Sequence, residues 1–180
     1  PGGSFGEVKS SQERQLYLAR LSMDDLNEMH EYSKDKRLYE YFEYKPFNKI
    51  KDTEKYLKKL IDIEGDKISG RTAIAWFVRR IEDEKLIGTA RLVNVDYNRK
   101  SVEWGYGIDP ELWGEGYIFK IQELLKEYIF EKLKLNRLSG IAMIENNRTI
   151  STLLTTGCKK EGVLRQYYRD YKGTDKQRTL

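Results

Sequence analysis

Three apolar stretches, TAIAWFVRRI (72–81), LIGTARLVNV (86–95) and SVEWGYGI (101–108), follow one another with only EDEK and DYNRK between them. Each is of strand length and rich in β-branched and aromatic residues, and the connections are those of hairpins. The period then switches. Ile118, Ile121, Leu124, Leu125, Tyr128, Ile129 and Leu133 recur at helical spacing. A run of paired strands feeding a long amphipathic helix is the signature of a mixed α/β domain.

The flanks extend that pattern. QLYLARL (15–21) alternates as a strand does, and Ser22 with Asp25 opens a helix to about Lys34. YEYFEYKPF (39–47) is aromatic and turns irregular after Pro46. Asp52 or Thr53 caps a second helix whose stripe is Tyr56, Leu57, Leu60 and Ile61. Past the long helix, RLSGIAMI (137–144) reads as one strand. NNRTISTLLTTG (146–157) reads as a short helix, capped by Asn146 or Asn147 and stopped by Gly157. KKEGVLRQYY opens a closing pair of strands. The expected order is β-α-α-β-β-β-α-β-α-β-β, one domain over residues 1–180 with 1–13 read as a tail.

Composition narrows the class. Charged residues make up 34% and the longest apolar run is AIAWFV, far short of a membrane span, so a cytoplasmic protein without a membrane partner is expected. The single cysteine, Cys158, forms no internal disulfide, and the single histidine, His30, makes a metal site an unattractive reading. His30 reads as a surface residue. A net charge of +4 does not call for a nucleic-acid partner.

Between the third strand of the run and the long helix stands ELWGEGYIFK (111–120), with Gly114 and Gly116 at the helix start. A helix N-terminus presents unpaired N–H groups, and glycine lets a bulky anion approach them. A phosphate cradle and an ordinary turn are both open at this level. No phosphate-binding P-loop pattern is present, and Phe119 stands where a dinucleotide fingerprint needs its third glycine.

Taken in order, LIGTARL, VEWGYGIDPELWGEGY and ENNRTISTLLTTGCKKEGVLRQYY resemble the GNAT N-acetyltransferase superfamily, in particular its ribosomal-protein N-acetyltransferase branch. The resemblance runs from about Gln15 to Thr174. It implies the GNAT acyl-CoA N-acyltransferase fold, a mixed sheet of about seven strands with about four helices. It also implies acetyl-CoA as co-substrate, no metal, and a primary amine as acceptor. The family's pyrophosphate loop falls on Trp113, Gly114, Glu115, Gly116, Tyr117 and Ile118. Trp113 departs from the family's Gln or Arg, and Ile118 from its small residue. Backbone near Tyr106 and Ile108 is placed against pantetheine, with Gly105 and Gly107 easing the approach.

The resemblance also distributes chemical roles. Glu103 is the expected general base; the alternative is a solvated strand glutamate paired with a lysine. The family's tyrosine acid falls on Leu153 and is absent, so Thr149 is the substitute acid, or else a helix-start residue. Asn146 holds pantetheine or caps its helix. Cys158 occupies the family's apolar position and is read as a small buried filler. The expected reaction is direct attack in a ternary complex, on a protein N-terminus or a small amine. A nucleotide-linked amino sugar and a non-catalytic acyl-CoA-binding role are the rival readings. The acceptor grip would come from the 39–47 and 165–178 segments, whose Glu40 and Glu43 favour a cation and whose Arg165, Arg169 and Lys172 favour an anion. A monomer and a homodimer are equally open. The family pattern extends a few residues past DKQRTL.

Overall fold

The computed structural model describes residues 15–42, 45–63, 72–169 and 175–179. Strands β1 (Leu16–Ala19), β2 (Thr72–Arg80), β3 (Leu86–Asp96) and β4 (Ser101–Ile108) pair antiparallel in that order, and β5 (Arg137–Ser139) joins β4 in parallel. A second sheet of β6 (Ala142–Met143), β8 (Asp175–Thr179) and β7 (Val163–Arg169) continues beyond it. The helices are α1 (Leu26–Ser33), α2 (Ile50–Ile63), α3 (Tyr117–Glu127) and α4 (Asn147–Thr155). The tail 1–14, Glu43 and Lys172 lie outside the described residues.

Alternation along β2 shows how the layers form. Ala75 and Phe77 point to α1 and α2, where Met29, Tyr32, Leu57 and Leu60 are buried. Val78 and Trp76 point the other way, to α3, where Ile121 and Leu125, with Ile129 just past its end, are fully enclosed. Each apolar side chain of this size contributes about 1.5–3 kcal/mol when fully buried, so both faces of the sheet must be covered. The helical stripe read from the sequence is therefore the core face of α3. It continues through a π-turn over Tyr128–Lys132, where Tyr128 meets Trp76 edge-on at 4.8 Å.

Several local readings change. Residues 137–144 make two short strands rather than one, because the chain breaks at Gly140 and Ile141. A Cβ on Gly140 would lie 2.8 Å from Nε1 of Trp104, so the indole edge occupies that place. Neither Asp52 nor Thr53 is the first cap of α2, which begins at Ile50. Asp52 instead reaches back to accept from the Lys49 N–H at 3.1 Å. Thr53 is buried against His30 Nδ1 at 2.7 Å, so His30 ties α1 to α2 and is not a free surface residue. Gly157 does stop α4, at φ +95°, with the Cys158 N–H bonded to Leu153 O and the Gly157 N–H to Leu154 O.

At the far end of β2, Arg80 donates to Asp83 at 2.6 Å and to the Tyr117 hydroxyl at 3.2 Å. The Arg80 guanidinium holds the Asp83 carboxyl down to about 2. A folded value below the unfolded one stabilises above about pH 4 and is lost as pH falls toward 2. Asp83 is 44% exposed, so solvent keeps the effect small. Asp83→Asn is accordingly expected to lower Tm slightly at pH 7 and to leave it unchanged at pH 2, measured by thermal melts at both.

Candidate active site

Pairing between β4 and β5 runs Ser101↔Arg137, Val102↔Leu138, Glu103↔Ser139 and stops. From Trp104 to Ile108, β4 keeps its β3 neighbour and, among the described residues, has no strand on its other edge. The wedge is Trp104, 6% exposed, whose indole lies against Gly140 and whose ring meets Tyr106 edge-on at 5.7 Å. The splayed edge presents backbone N–H and C=O groups to an open cleft, a template for an extended ligand.

Two cavities meet at this edge. The larger, of about 390 Å³, runs from Tyr106–Ile108 across residues 112–119 to Asn146, Arg148, Thr149 and Thr152. Every residue named from the sequence for cofactor binding lines it: Tyr106, Ile108, Trp113, Gly114, Glu115, Gly116, Tyr117, Ile118, Asn146 and Thr149. The smaller, of about 200 Å³, contains Glu103 and Arg91 and lies between β4 and the 140–143 segment. Tyr41, Phe42, Tyr106, Asn146 and Thr149 line both. Glu103 thus belongs to the smaller chamber and Thr149 to the junction.

Both loop glycines are left-handed, Gly114 at φ +84° and Gly116 at φ +86°, which explains the residue type at each. Space is left as well, since nothing lies within 4 Å of a Cβ built on Gly114. Gly116 precedes α3 and gives it no side-chain cap, so the first-turn N–H groups and the positive end of the dipole are available to an anion. These features fit the diphosphate of acetyl-CoA. The Trp113 N–H bonds to Pro110 O at 3.2 Å, closing a turn over Pro110–Leu112. Tyr117 is 2% exposed as a whole residue, and its hydroxyl accepts from Arg80 at 3.2 Å.

One lining residue escaped the sequence reading. The Arg148 guanidinium carbon stands 3.5 Å from the centre of the Trp113 ring, and among the described residues that ring is its one partner. Arg37, the other cation of the cleft, is neutralised by Asp35 and Glu111 at 2.6 Å each. Of these two lining cations, Arg148 is the one with no carboxylate partner among the described residues. Trp113 and Arg148 are far apart in sequence, so only the fold brings them together.

The chemical candidates are also clarified. Glu103 accepts from Asn94 Nδ2 at 3.3 Å, so its partner is an amide and not a lysine. Asn146 is the α4 cap, accepting from the Thr149 N–H at 3.3 Å, and it still borders both chambers. Thr149 is three residues inside the cap and faces the junction. Leu153 lines the smaller chamber without a hydroxyl, while Cys158 lines neither. Tyr106 accepts from Gln122 Nε2 at 2.7 Å, and burial raises its phenol despite that bond. A Cβ on Gly107, which lines the long cleft, would make only an ordinary contact with Leu38 Cδ1 at 3.6 Å, whereas Gly105 and Gly88 are closed by neighbours. A Cβ on Gly105 would meet the Arg91 guanidinium at 3.0 Å, and Gly107 O lies 2.2 Å from a Cβ on Gly88. Glu40 and Arg165 are exposed and line neither chamber, and the Arg169 side chain is not among those described.

Residues 15–159 match the family described as Acetyltransferase (GNAT) domain. An uncharacterized N-acetyltransferase p20 of Bacillus licheniformis is 26% identical over 152 residues, 84% of this chain and 83% of that protein. A putative ribosomal N-acetyltransferase YdaF of Bacillus subtilis is 34% identical over 83 residues, 46% of this chain and 45% of that one. The spermidine N-acetyltransferase of Vibrio cholerae, solved in complex with CoA and spermine, superposes with a TM-score of 0.75 at 22% identity, covering 92% of each chain.

Proposed function

This chain belongs to the GNAT acetyltransferase family of acetyl-CoA-dependent N-acetyltransferases, and from that premise we propose that it acetylates a primary amine by direct attack, with Glu103 as general base. One observation carries the reading. The β4 edge opens just past Glu103, which puts a carboxylate residue in the small chamber that adjoins the long cleft. Acetyl-CoA supplies the acyl group as an activated thioester. Gly114–Ile118 and Arg148 hold its diphosphate, and the open edge of β4 takes its pantetheine amides. The acceptor amine enters the smaller chamber, and Glu103 removes its proton directly or through water. As the N–C bond forms the C–S bond breaks, and the thiolate leaves toward Thr149 at the junction. Its protonation there needs no strong acid, because a thiol pKa lies near 8.5. The single domain extends over the family match.

Isothermal titration with acetyl-CoA tests the binding half. Binding in the micromolar range is expected, and Arg148→Ala should weaken it roughly 10- to 100-fold, the value of a charge-assisted contact to phosphate. Acetyl-pantetheine, which lacks the phosphates, should bind both proteins alike. Equal losses on the two ligands would mean that Arg148 only shapes the cleft. No heat from the intact protein would remove the acetyltransferase reading itself. A protein N-terminus remains the second reading of the acceptor, supported by the likeness to the ribosomal enzyme.

A further inference from the structure

A third cavity lies on another face of α4, and we infer that it is a second binding site, for an amphipathic carboxylate: an alkyl chain that ends in one anionic group. At about 470 Å³ it exceeds both the long cleft and the smaller chamber. That volume falls within the range of small-molecule sites, about 300–1,000 Å³. The end of α3, the strand β5, the helix α4 and the 156–161 turn enclose it.

The helix α4 accounts for its apolar side. Helical spacing divides α4 between two cavities. Arg148, Thr149 and Thr152 border the long cleft, whereas Ile150, Leu153 and Leu154 border this one. The helix thus carries an apolar face, yet none of its residues is buried. Phe130, from the turn after α3, and Leu138 of β5 line the same cavity. Phe130 and Leu154 are 39% and 52% exposed, so an alkyl chain laid along them covers surface that water now meets.

The charged side chains supply the sign. Lys126, Arg137, Lys159 and Lys160 stand against a single carboxylate, Glu161, and Arg137 is the cation that pairs with it. Lys126 gives one donor to Thr156 O at 2.9 Å, which pins its ammonium to the turn. An ammonium has three donors, so two remain for a ligand. Lys159 and Lys160 have no carboxylate partner among the described residues. Three ammonium groups without a counter-charge, beside apolar walls, select an anion with an apolar body and repel an alkylammonium. The site is also separate from the acetyl-CoA cleft, since no residue lines both.

Titration calorimetry on the whole chain decides the matter. The probes are straight-chain carboxylates of rising length, with the alcohol and the alkylammonium of equal length, all below their micelle concentrations. One carboxylate per chain should bind, tightening about 10-fold for every two methylenes added until the cavity is full. It should exceed the alcohol by about 5- to 10-fold, and the alkylammonium should be the weakest. Saturating acetyl-CoA should leave that affinity unchanged. Leu154→Asp should abolish binding, and Lys159→Glu with Lys160→Glu should move the preference to the alkylammonium. All three positions are exposed, and an unchanged Tm shows that each variant folds. The comparison of head groups in the intact protein needs no variant: an alkylammonium that binds as well as the carboxylate overturns the proposal. So does a carboxylate that acetyl-CoA displaces, because it then sits in the long cleft. Binding that survives Leu154→Asp overturns it as well. A solution dimer that Leu154→Asp dissociates, and that binds no carboxylate, would show a second copy covering this face instead.

Discussion

Glu103→Gln is expected to lower kcat by about 100- to 10,000-fold, the usual worth of a positioned base, while acetyl-CoA binds as before. Glutamine keeps the shape of the side chain and can still accept from Asn94, which lies 3.3 Å from Glu103 in the intact protein. What it loses is the capacity to take a proton from an ammonium. Glu103 lines the smaller chamber and not the long cleft, so titration with acetyl-CoA should be unaffected. The deficit should narrow as pH rises, because more of the free amine is then already neutral. Steady-state rates from pH 6 to 10, taken beside a binding isotherm, check both halves. A variant that turns over normally, or that fails to bind acetyl-CoA, would falsify the assignment of the base.

Gly88→Ala should cost the fold itself more than about 3 kcal/mol, at the upper end for one added methyl group. The new Cβ would fall 2.2 Å from Gly107 O and 3.0 Å from Ile108 Cα. Both are backbone atoms of the neighbouring strand, so no rotamer change relieves the clash. The damage would reach the site, because the Asp109 N–H bonds to Ile87 O at 2.8 Å and starts the turn that delivers the loop. Urea unfolding would measure the loss. Gly105→Ala is the informative contrast: its Cβ would meet the far end of the Arg91 side chain, which can move. Equal stability losses at the two positions would refute the distinction.

Much of the site was legible because it is local. Gly114 and Gly116 announce themselves by their place before a helical stripe, and Asn146 by its place before another. What stayed hidden depends on partners distant in sequence. A glycine in a strand says that something comes close, and nothing in WGYG says what. At Gly105 the Arg91 guanidinium is what comes close, and at Gly88 it is the backbone of the neighbouring strand. The apolar run 137–144 reads as one strand because its period is regular; only Trp104, across the sheet, marks Gly140 as the break. Arg148 in NNRT looks like one more polar residue at a helix start until the Trp113 ring is found beneath it.

The edge of β4 beyond Glu103 has a consequence for drift. Whatever it recognises there it recognises through main-chain groups, which every residue except proline carries. Substitutions along residues 104–108 can reshape the floor of the cleft and leave that recognition standing. The smaller chamber has no such insurance, since side chains such as Glu103 and Trp104 make its walls. Such an architecture lets one half of a reaction stay constant while the other is rewritten a residue at a time. Relatives at about a quarter identity can then keep a common donor and part company over what they modify.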